Sequence, residues 1–519
     1  MGLYLFIWYI YCYFILISLR FATYQHKKHQ KRNSMRTSKN NYQAKWPFIG
    51  LFTCGTIFIT LICIRLGVFD QNVNLLKDVS QTLSAQESWM NIYHQKQKIG
   101  YSHRMIQPQH ELYLLSDKTY LQLNTMGVVN ELFIKTEAVL NKDMSLAEFS
   151  FELNSDPFSF NVQGTIEPDI MRLVLDEKET LIPIKEKIFL PTALMDAAYA
   201  LQLKPGEKQK IKLFDPSTMG MRTVELSCTG KETIQVDKID YPCSIYTMEF
   251  MGMKSSAWID SNGQIVQEKG LMGMTLQKTS KNNAISGLTS SKLKDLIEWV
   301  SIKSNIIIDN PEKLNEISFQ IDGPFDTKIL DGGRQQLNND IRLTIKRERI
   351  PAPPFSIEPM EEFIRPTIFI PSDHPLILEQ LNKIVRKTDP VMIKIKKLLV
   401  WMTKNIQKKP VLSVPNALET LKHKRGDCNE HAILMASFLR AAGIPTQIAA
   451  GLVYLDGRFY YHAWNQIYLN GWISLDVIME QFPADVTHIR LVKGNPDAQM
   501  TLLGMIGNIH INVLEKKYD

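Results

Sequence analysis

Short strand-like stretches separated by polar turns fill the chain from Trp89 to Leu276. Runs such as Tyr113 to Leu123 are rich in residues that favour strands, and Gly, Asn and Asp stand between them. Residues 257–260 and 264–266 flank Ser261-Asn262-Gly263, whose Asn and Gly accept the positive φ values of a tight turn. This pattern predicts an antiparallel β domain.

A helical period replaces this pattern beyond Pro371. Apolar side chains recur every three or four residues from Val391 to Ile406, with lysines between them. Upstream, Pro351-Ala352-Pro353-Pro354 favours a stiff extended connector, because proline fixes φ and removes a backbone donor. The changes of pattern predict four segments: an N-terminal start at 1–69, a mainly β domain at 70–350, a Pro-rich linker at 351–371 and a further domain at 372–519.

The N-terminal start carries two apolar runs, Leu3 to Leu19 and Trp46 to Ile64. The second is long enough to span a bilayer. Residues 1–69 contain nine Lys or Arg and no Asp or Glu, and most of these cations lie between the runs. By the positive-inside rule the loop stays in the cytoplasm. We expect a membrane anchor of one or two transmembrane helices in the inner (cytoplasmic) membrane, with the bulk of the chain facing the periplasm or outside.

Charge and composition narrow the possible functions. The formal net charge is +7 over 519 residues, but the excess sits in the N-terminal start and the rest of the chain is close to neutral. Nucleic-acid binding is therefore excluded for the main body, because neutralising phosphates needs concentrated positive charge. Six cysteines do not build a disulfide scaffold. Cys228 and Cys243 could form a bridge or remain two buried thiols.

The segment 425–443 carries the candidate chemistry. Asp427 and Glu430 have the spacing of a capping box, which predicts a helix beginning at Cys428 and ending before Gly443. The unpaired amides at a helix start favour a thiolate over a thiol, so Cys428 is a candidate nucleophile. A structural cysteine at a helix start is the alternative.

A three-strand meander follows this helix. Residues 445–455, 458–469 and 472–475 read as strands joined by Asp-Gly and Asn-Gly turns. His462 lies in the middle strand and Asp476 follows the third, so one antiparallel ladder can hold imidazole and carboxylate together. This geometry allows a Cys-His-Asp triad, in which the carboxylate fixes the tautomer of the imidazole.

Four linked motifs resemble the transglutaminase-like superfamily of papain-type cysteine enzymes. They are Gly426-Asp427-Cys428-Asn429-Glu430-His431-Ala432, Arg440-Ala441-Ala442-Gly443-Ile444-Pro445, His462-Ala463-Trp464 and Trp472-Ile473-Ser474-Leu475-Asp476. The resemblance implies that Cys428 is the nucleophile, His462 the general acid and base, and Asp476 the orienting carboxylate. The predicted fold class is thus α+β: an N-terminal transmembrane anchor, a large antiparallel β domain and a C-terminal transglutaminase-like α+β domain.

His431 and the possible oxyanion donors are the remaining candidate residues. His431 lies one turn from Cys428 on the same helix, and we expect a structural role because a base must approach across the cleft. The backbone amide of Cys428 can donate to an oxyanion, and Asn416 is a weak candidate for the second donor. No Cys-x-x-Cys, His-Glu-x-x-His, phosphate loop or dinucleotide fingerprint occurs, so we expect neither a metal nor a cofactor.

Two functions fit this sequence. The first is an anchored, extracytoplasmic cysteine enzyme, acyltransferase or hydrolase, that forms a thioester with a protein or peptide amide and passes the acyl group to an amine or to water. The second is a binding or scaffold protein of the cell envelope whose transglutaminase-like module is catalytically idle.

Overall fold

The computed structural model describes residues 83–125, 127–175, 178–250, 253–270, 273–288, 301–338, 341–356, 360–494 and 496–518. The described residues belong to one compact unit. The predicted anchor at 1–69 lies outside the described residues.

A sheet of fifteen strands forms the first part of the described chain. Its strands are β1 (Gln86–His94), β2 (Gln97–Gln109), β3 (Leu112–Thr125), β4 (Val128–Asn141), β5 (Leu146–Ser155), β6 (Phe158–Ile166), β7 (Ile170–Leu175), β8 (Lys178–Pro183), β9 (Ile188–Phe189), β10 (Lys208–Asp215), β11 (Gly220–Val236), β12 (Ile239–Phe250), β13 (Met253–Asp260), β14 (Ile265–Lys269) and β15 (Met274–Thr279). The order is β8 through β1 and then β15 through β9. Neighbours are antiparallel except β9 and β10. The predicted antiparallel strands and the hairpin at β13 and β14 are confirmed.

Tight turns and curvature shape this sheet. Gln95 and Lys96 between β1 and β2 both have positive φ, as do Asp237 and Lys238 between β11 and β12, which matches the twist of hairpins. The rings of Phe149 in β5 and Phe214 in β10 lie 5.5 Å apart, although their strands are far apart in the sheet order. The sheet therefore curls so that distant strands share one buried core.

Eleven further strands belong to three smaller sheets of the described chain. They are β16 (Ile302–Lys303), β17 (Leu314–Asp322), β18 (Gln335–Asn338), β19 (Arg342–Lys346), β20 (Gln407–Lys408), β21 (Arg425–Gly426), β22 (Thr446–Leu455), β23 (Arg458–Tyr468), β24 (Trp472–Leu475), β25 (Ile489–Lys493) and β26 (His510–Tyr518). One sheet has the order β16-β23-β22-β25, with β24 paired to β23, and a second has the order β18-β19-β17-β26. Strands β20 and β21 form a parallel pair. The predicted meander is confirmed as β22, β23 and β24.

Helices occupy a smaller share of the described residues. They are α1 (Leu194–Ala200), α2 (Lys281–Ile285), α3 (Thr327–Leu330), α4 (Pro375–Ile384), α5 (Val391–Asn405), α6 (Ala417–His423), α7 (Cys428–Ala441) and α8 (Pro496–Gln499), with 3-10 turns at Pro191–Ala193, Pro311–Lys313, Glu361–Phe363 and Met500–Met505. Helix α7 packs on β22 and β23 and is buried over nearly its whole length.

The predicted fold class is wrong. Strands hold 50% of the residues and helices 19%, so the chain is mostly β rather than α+β. The sequence prediction missed three strands outside the large sheet, β16, β25 and β26, because they pair with partners remote in sequence. Among the described residues, none of the helices is long and apolar enough to cross a membrane. The location at a membrane stays a prediction.

The two cysteines of the large sheet are separate buried thiols. In the ladder of β11 and β12, Cys228 faces Tyr246 and Cys243 faces Glu232. The two thiols are therefore offset along neighbouring strands, and the disulfide alternative is wrong.

Strands from both sides of the predicted linker share sheets. Strand β17 pairs antiparallel with β26, from Leu314 opposite Tyr518 to Asp322 opposite His510. Strand β16 pairs with β23. The boundaries predicted at 350 and 372 stay a prediction, but the residues before the linker complete the sheets that follow it.

Candidate active site

Cys428 is the first residue of α7, and its position depends on how this helix begins. The carboxylate of Asp427 accepts a hydrogen bond from Asn429 N at 3.0 Å, and Glu430 Oε2 accepts one from Asp427 N at 3.1 Å. This is the predicted capping box, so the helix start is confirmed. A Cβ at Gly426 would lie 2.3 Å from Cβ of Glu430, so the close approach of Glu430 requires glycine there.

The carboxyl group of Asp427 is the nearest ionisable neighbour of Cys428 in the sequence. Burial raises the pKa of Asp427 well above its ordinary value, and the charges of Glu430 and Cys428 raise it further. A neutral Asp427 adds no negative charge beside the sulfur. That the amides at the start of α7 favour the thiolate form of Cys428 stays a prediction.

His462 and Asp476 meet as the meander predicts. His462 lies in β23 opposite Gly451 of β22, and Asp476 directly follows β24. Nε2 of His462 lies 2.6 Å from Oδ2 of Asp476, and the two residues are 2% and 1% exposed. Because a carboxylate only accepts, Nε2 carries the proton of this bond. Within the described part of the chain, Nδ1 of His462 is buried and has no hydrogen-bond partner.

Asp476 is held in its ionised form by four donors. Oδ2 faces His462 and also Nε2 of His488 at 2.8 Å, while Oδ1 accepts from the backbone N–H of Ile478 at 2.7 Å and of Met479 at 3.0 Å. Burial alone would raise the pKa of Asp476, but the two histidines hold it below its ordinary value. The carboxylate is therefore a fixed anion that orients His462.

His488 is a site residue that the sequence prediction missed. It is 0% exposed, and its Nδ1 lies 3.3 Å from Oδ1 of Asp485. Asp485 also accepts from Thr487 Oγ1 at 2.6 Å and from Gln481 Nε2 at 2.8 Å. Burial lowers the pKa of His488, but the hydrogen bonds and charges of Asp476 and Asp485 together raise it to about 9. The sequence signal that could have identified this pair is an aspartate and a histidine three positions apart, Asp485 and His488, among mostly apolar neighbours.

The nucleophile's helix is tied to the histidine's strand. Asn465 Nδ2, three residues after His462, donates to the carbonyl of Ala432 at 2.8 Å, one turn after Cys428. Trp464 stacks on His462 with ring centroids 6.2 Å apart and contacts His488 edge to face at 5.2 Å. The structure thus brings His462 and Asp476 into contact and packs the helix of Cys428 on their strand. That the three act as a catalytic triad stays a prediction.

Two further candidates have structural roles. His431 Nδ1 donates to the carbonyl of Asp427 at 2.7 Å, and burial lowers the pKa of His431 to about 4, so it is neutral and fixed along α7. Oδ1 of Asn416 accepts from Leu418 N at 2.8 Å and caps α6. That oxygen is engaged in the cap, and nothing in this contact supports Asn416 as the second oxyanion donor.

One group of potential metal ligands occurs in the described residues, and it is His462, Asp476 and His488, whose ligand atoms lie within 4.8 Å of one another. The same atoms are joined by hydrogen bonds of 2.6 and 2.8 Å. Such bonds need a proton on each nitrogen, whereas a metal ion needs its lone pair. The three side chains therefore fit a hydrogen-bonded network better than a metal centre.

Comparison with known proteins agrees with the motifs. The model of the transglutaminase-like superfamily matches residues 379–477, so this segment resembles that superfamily as its motifs predict. The match supports a cysteine enzyme at this general level only. None of the curated proteins matches the chain.

Several solved structures resemble parts of the chain at low identity. A candidate cysteine protease from Cytophaga hutchinsonii is 17% identical over 39% of this chain and 90% of its own, with a TM-score of 0.27. A domain of unknown function from Brucella abortus is 12% identical over 38% and 98%, with a TM-score of 0.31. A candidate protease from Parabacteroides distasonis is 11% identical over 66% and 67%, with a TM-score of 0.19. These scores are too low to carry an argument about the fold.

Proposed function

We propose that this chain forms a thioester between Cys428 and the acyl group of a protein or peptide carboxamide. The observation that carries the proposal is the buried 2.6 Å hydrogen bond between His462 and Asp476. It supplies an oriented imidazole in a segment of the transglutaminase-like superfamily, with a cysteine at a helix start that packs on the same sheet.

The proposed reaction assigns each proton. Since Nε2 of His462 donates to Asp476, Nδ1 is the nitrogen that takes the thiol proton as sulfur attacks the carboxamide carbon. The tetrahedral intermediate then collapses, the carbon–nitrogen bond breaks, and His462 returns the proton to the leaving amine or ammonia. Asp476 stays ionised and stabilises the imidazolium.

The thioester then passes its acyl group to water or to an amine. Water gives a carboxylic acid and an amine gives a new amide, and both routes restore the thiol. The two outcomes share every residue named above, so the acceptor has to be found by experiment.

The deciding experiment incubates the protein with a library of glutamine-containing peptides and follows ammonia release and peptide cleavage separately. We expect one of the two products, and we expect Cys428→Ala to abolish it. Cys243→Ala is the matched control, because this buried thiol lies in the large sheet, where burial raises its pKa to about 11.

The burial of the sulfur favours a second candidate, the idle module of a binding protein. Cys428 is 1% exposed, so a substrate reaches it only after a neighbouring group moves. Alkylation by iodoacetamide, followed by mass spectrometry of each cysteine peptide, separates the two functions. An enzyme requires Cys428 to react faster than Cys228, which is 2% exposed, and to slow down in His462→Ala. Equal, sluggish reaction of both thiols would favour the idle module.

A further inference from the structure

His488 has a carboxylate on each side of its ring. Nε2 lies 2.8 Å from Asp476 Oδ2 and Nδ1 lies 3.3 Å from Asp485 Oδ1. A neutral imidazole has one donor and one acceptor nitrogen, so it would turn a lone pair toward one of these anions. Both contacts are hydrogen bonds only when both ring nitrogens carry protons. His488 is then a cation held between two anions.

The other charged groups around this cation are fixed by the fold. Arg334, which precedes β18, donates to the carbonyl of His488 at 3.0 Å and lies 3.6 Å from the buried carboxylate of Glu348. The guanidinium of Arg490 in β25 donates to the backbone carbonyls of Ile329, Asp331 and Gly332. On the side of Asp476, His462 in β23 contacts the same carboxylate, and His431 in α7, which is neutral, lies close enough to be affected by the charge of Asp476. The anions in direct contact with the His488 ring are thus Asp476 and Asp485.

His462 and His488 share one oxygen of Asp476, and their ring centroids lie 5.9 Å apart. A positive charge on His488 therefore opposes a second positive charge on His462. At an effective dielectric constant of about 20, two unit charges at this separation shift a proton equilibrium by about 1–2 pH units.

We propose that His488 is a positioning residue that holds the carboxylate of Asp476 toward His462 and, as a cation, eases release of the proton that His462 takes from Cys428. The inference rests on the proposed function and deepens it, because it concerns the same proton transfer. Asp485 serves as the counter-ion of His488. Both residues lie beyond the matched segment 379–477, so they extend the site outside the family motif.

The test measures the rate of Cys428 alkylation by iodoacetamide against pH in the whole protein, with EDTA present. His488→Gln keeps an N–H that can reach Asp476 but removes the charge. We expect the midpoint of the acidic limb to rise by about 1–2 pH units, because loss of a nearby cation strengthens proton binding at the site. The plateau rate should fall less than in a variant that also loses the donor to Asp476.

His488→Ala removes the donor as well as the charge. Here we expect the same rise of the midpoint and, in addition, a plateau about tenfold or more lower, because Asp476 is no longer held in place. A merely structural role would lower thermal stability in both variants and leave the midpoint where it is, which would overturn the proposal. So would a wild-type profile that changes on removal of EDTA and addition of zinc, which would assign the cluster to a metal.

A second readout does not depend on activity. Nitrogen-15 spectra of the histidine rings, with the His488 signals assigned by their loss in His488→Gln, should show both His488 nitrogens protonated at about pH 7.5. A neutral His488 ring would overturn the inference even if Cys428 is reactive. Conversely, a Cys428 that reacts no faster than Cys228 and ignores His462→Ala would overturn the proposed function, and the inference with it, whatever the spectra of His488 show.

Discussion

Asp427 is a buried carboxyl group at the start of the helix that carries Cys428, and its protonation links this site to pH. Its pKa is raised in the folded protein, first by burial and then by Glu430 and Cys428. A carboxyl with a raised pKa binds its proton more tightly in the folded than in the unfolded chain. Its contribution to stability is therefore complete below its ordinary pKa and is lost as the pH rises through the raised value.

Asp427→Asn should remove this loss, because the amide oxygen still caps Asn429 N and cannot ionise. We expect the stabilities of the variant and the wild type to diverge as the pH rises from about 4, with the variant more stable by about 1 kcal/mol or more near pH 8. Urea unfolding at the two pH values measures the difference. Asp456→Asn, at an exposed turn, is the matched control for the exchange of carboxyl for amide. Parallel wild-type and Asp427→Asn stabilities across this range would contradict the raised pKa.

The sequence predicted the positions of those site residues that have a local sequence signature. The capping box placed Cys428, and the Asp-Gly and Asn-Gly turns set the register that joins His462 to Asp476. His488 has no such signature. His488 lies next to Asp476 because β25, which begins at the following residue, pairs with β22. That pairing contains a bulge that no local sequence pattern predicts.

The element that brings His488 into place is β25, and its approach to β22 depends on Gly451. The register between the two strands shifts at Ala450 and Gly451. A Cβ at Gly451 would lie 1.9 Å from the carbonyl oxygen of Ile489 and 2.8 Å from Leu491 N. Both atoms are backbone, so the clash can be relieved only by moving the strand that follows His488.

Gly451→Ala should therefore destabilise the protein by about 1–3 kcal/mol, as overpacking in a buried site does. In the folded fraction the alkylation of Cys428 should also slow, because displacement of β25 draws His488 away from Asp476. Gly471→Ala is the matched control, since a Cβ there meets nothing within 4 Å. Equal urea midpoints for Gly451→Ala and Gly471→Ala would show that β25 can move without loss of stability, contrary to this prediction.

At the element scale the predicted helix and meander are confirmed because their signals are local: apolar spacing, a capping box and tight turns. Strands β16, β25 and β26 were missed for the opposite reason. Ile302 pairs with Phe459, and Leu314 pairs with Tyr518, across gaps of sequence that periodicity cannot bridge. The mostly β character comes chiefly from the fifteen strands of the large sheet, which outweigh the helices packed in the C-terminal part, and so the predicted α+β class was wrong.

Across the whole molecule, the segment before the predicted linker supports the candidate active site. Arg334 donates to the carbonyls of Ala484 at 2.6 Å and His488 at 3.0 Å. Gln335 Oε1 accepts from Arg490 N at 2.6 Å, and Glu348 accepts from Ser474 N at 2.8 Å. The loop between Asp476 and β25 is thus fastened by residues that the sequence assigned to another domain.

This arrangement predicts what happens when the linker is cut. A recognition site for a specific protease, inserted between Ala352 and Pro353 where the chain is exposed, should be cleaved in the folded protein. We expect the two fragments to elute together in native size-exclusion chromatography, because β17 pairs with β26 along nearly their full length and Arg334 ties the active-site loop to the first fragment. Alkylation of Cys428 should continue at the uncut rate. The same sample in urea should separate into two peaks, which verifies that cleavage was complete. Independent domains joined by a linker, as the sequence alone suggested, would instead separate without denaturant, and Cys428 in the C-terminal fragment would keep its reactivity alone.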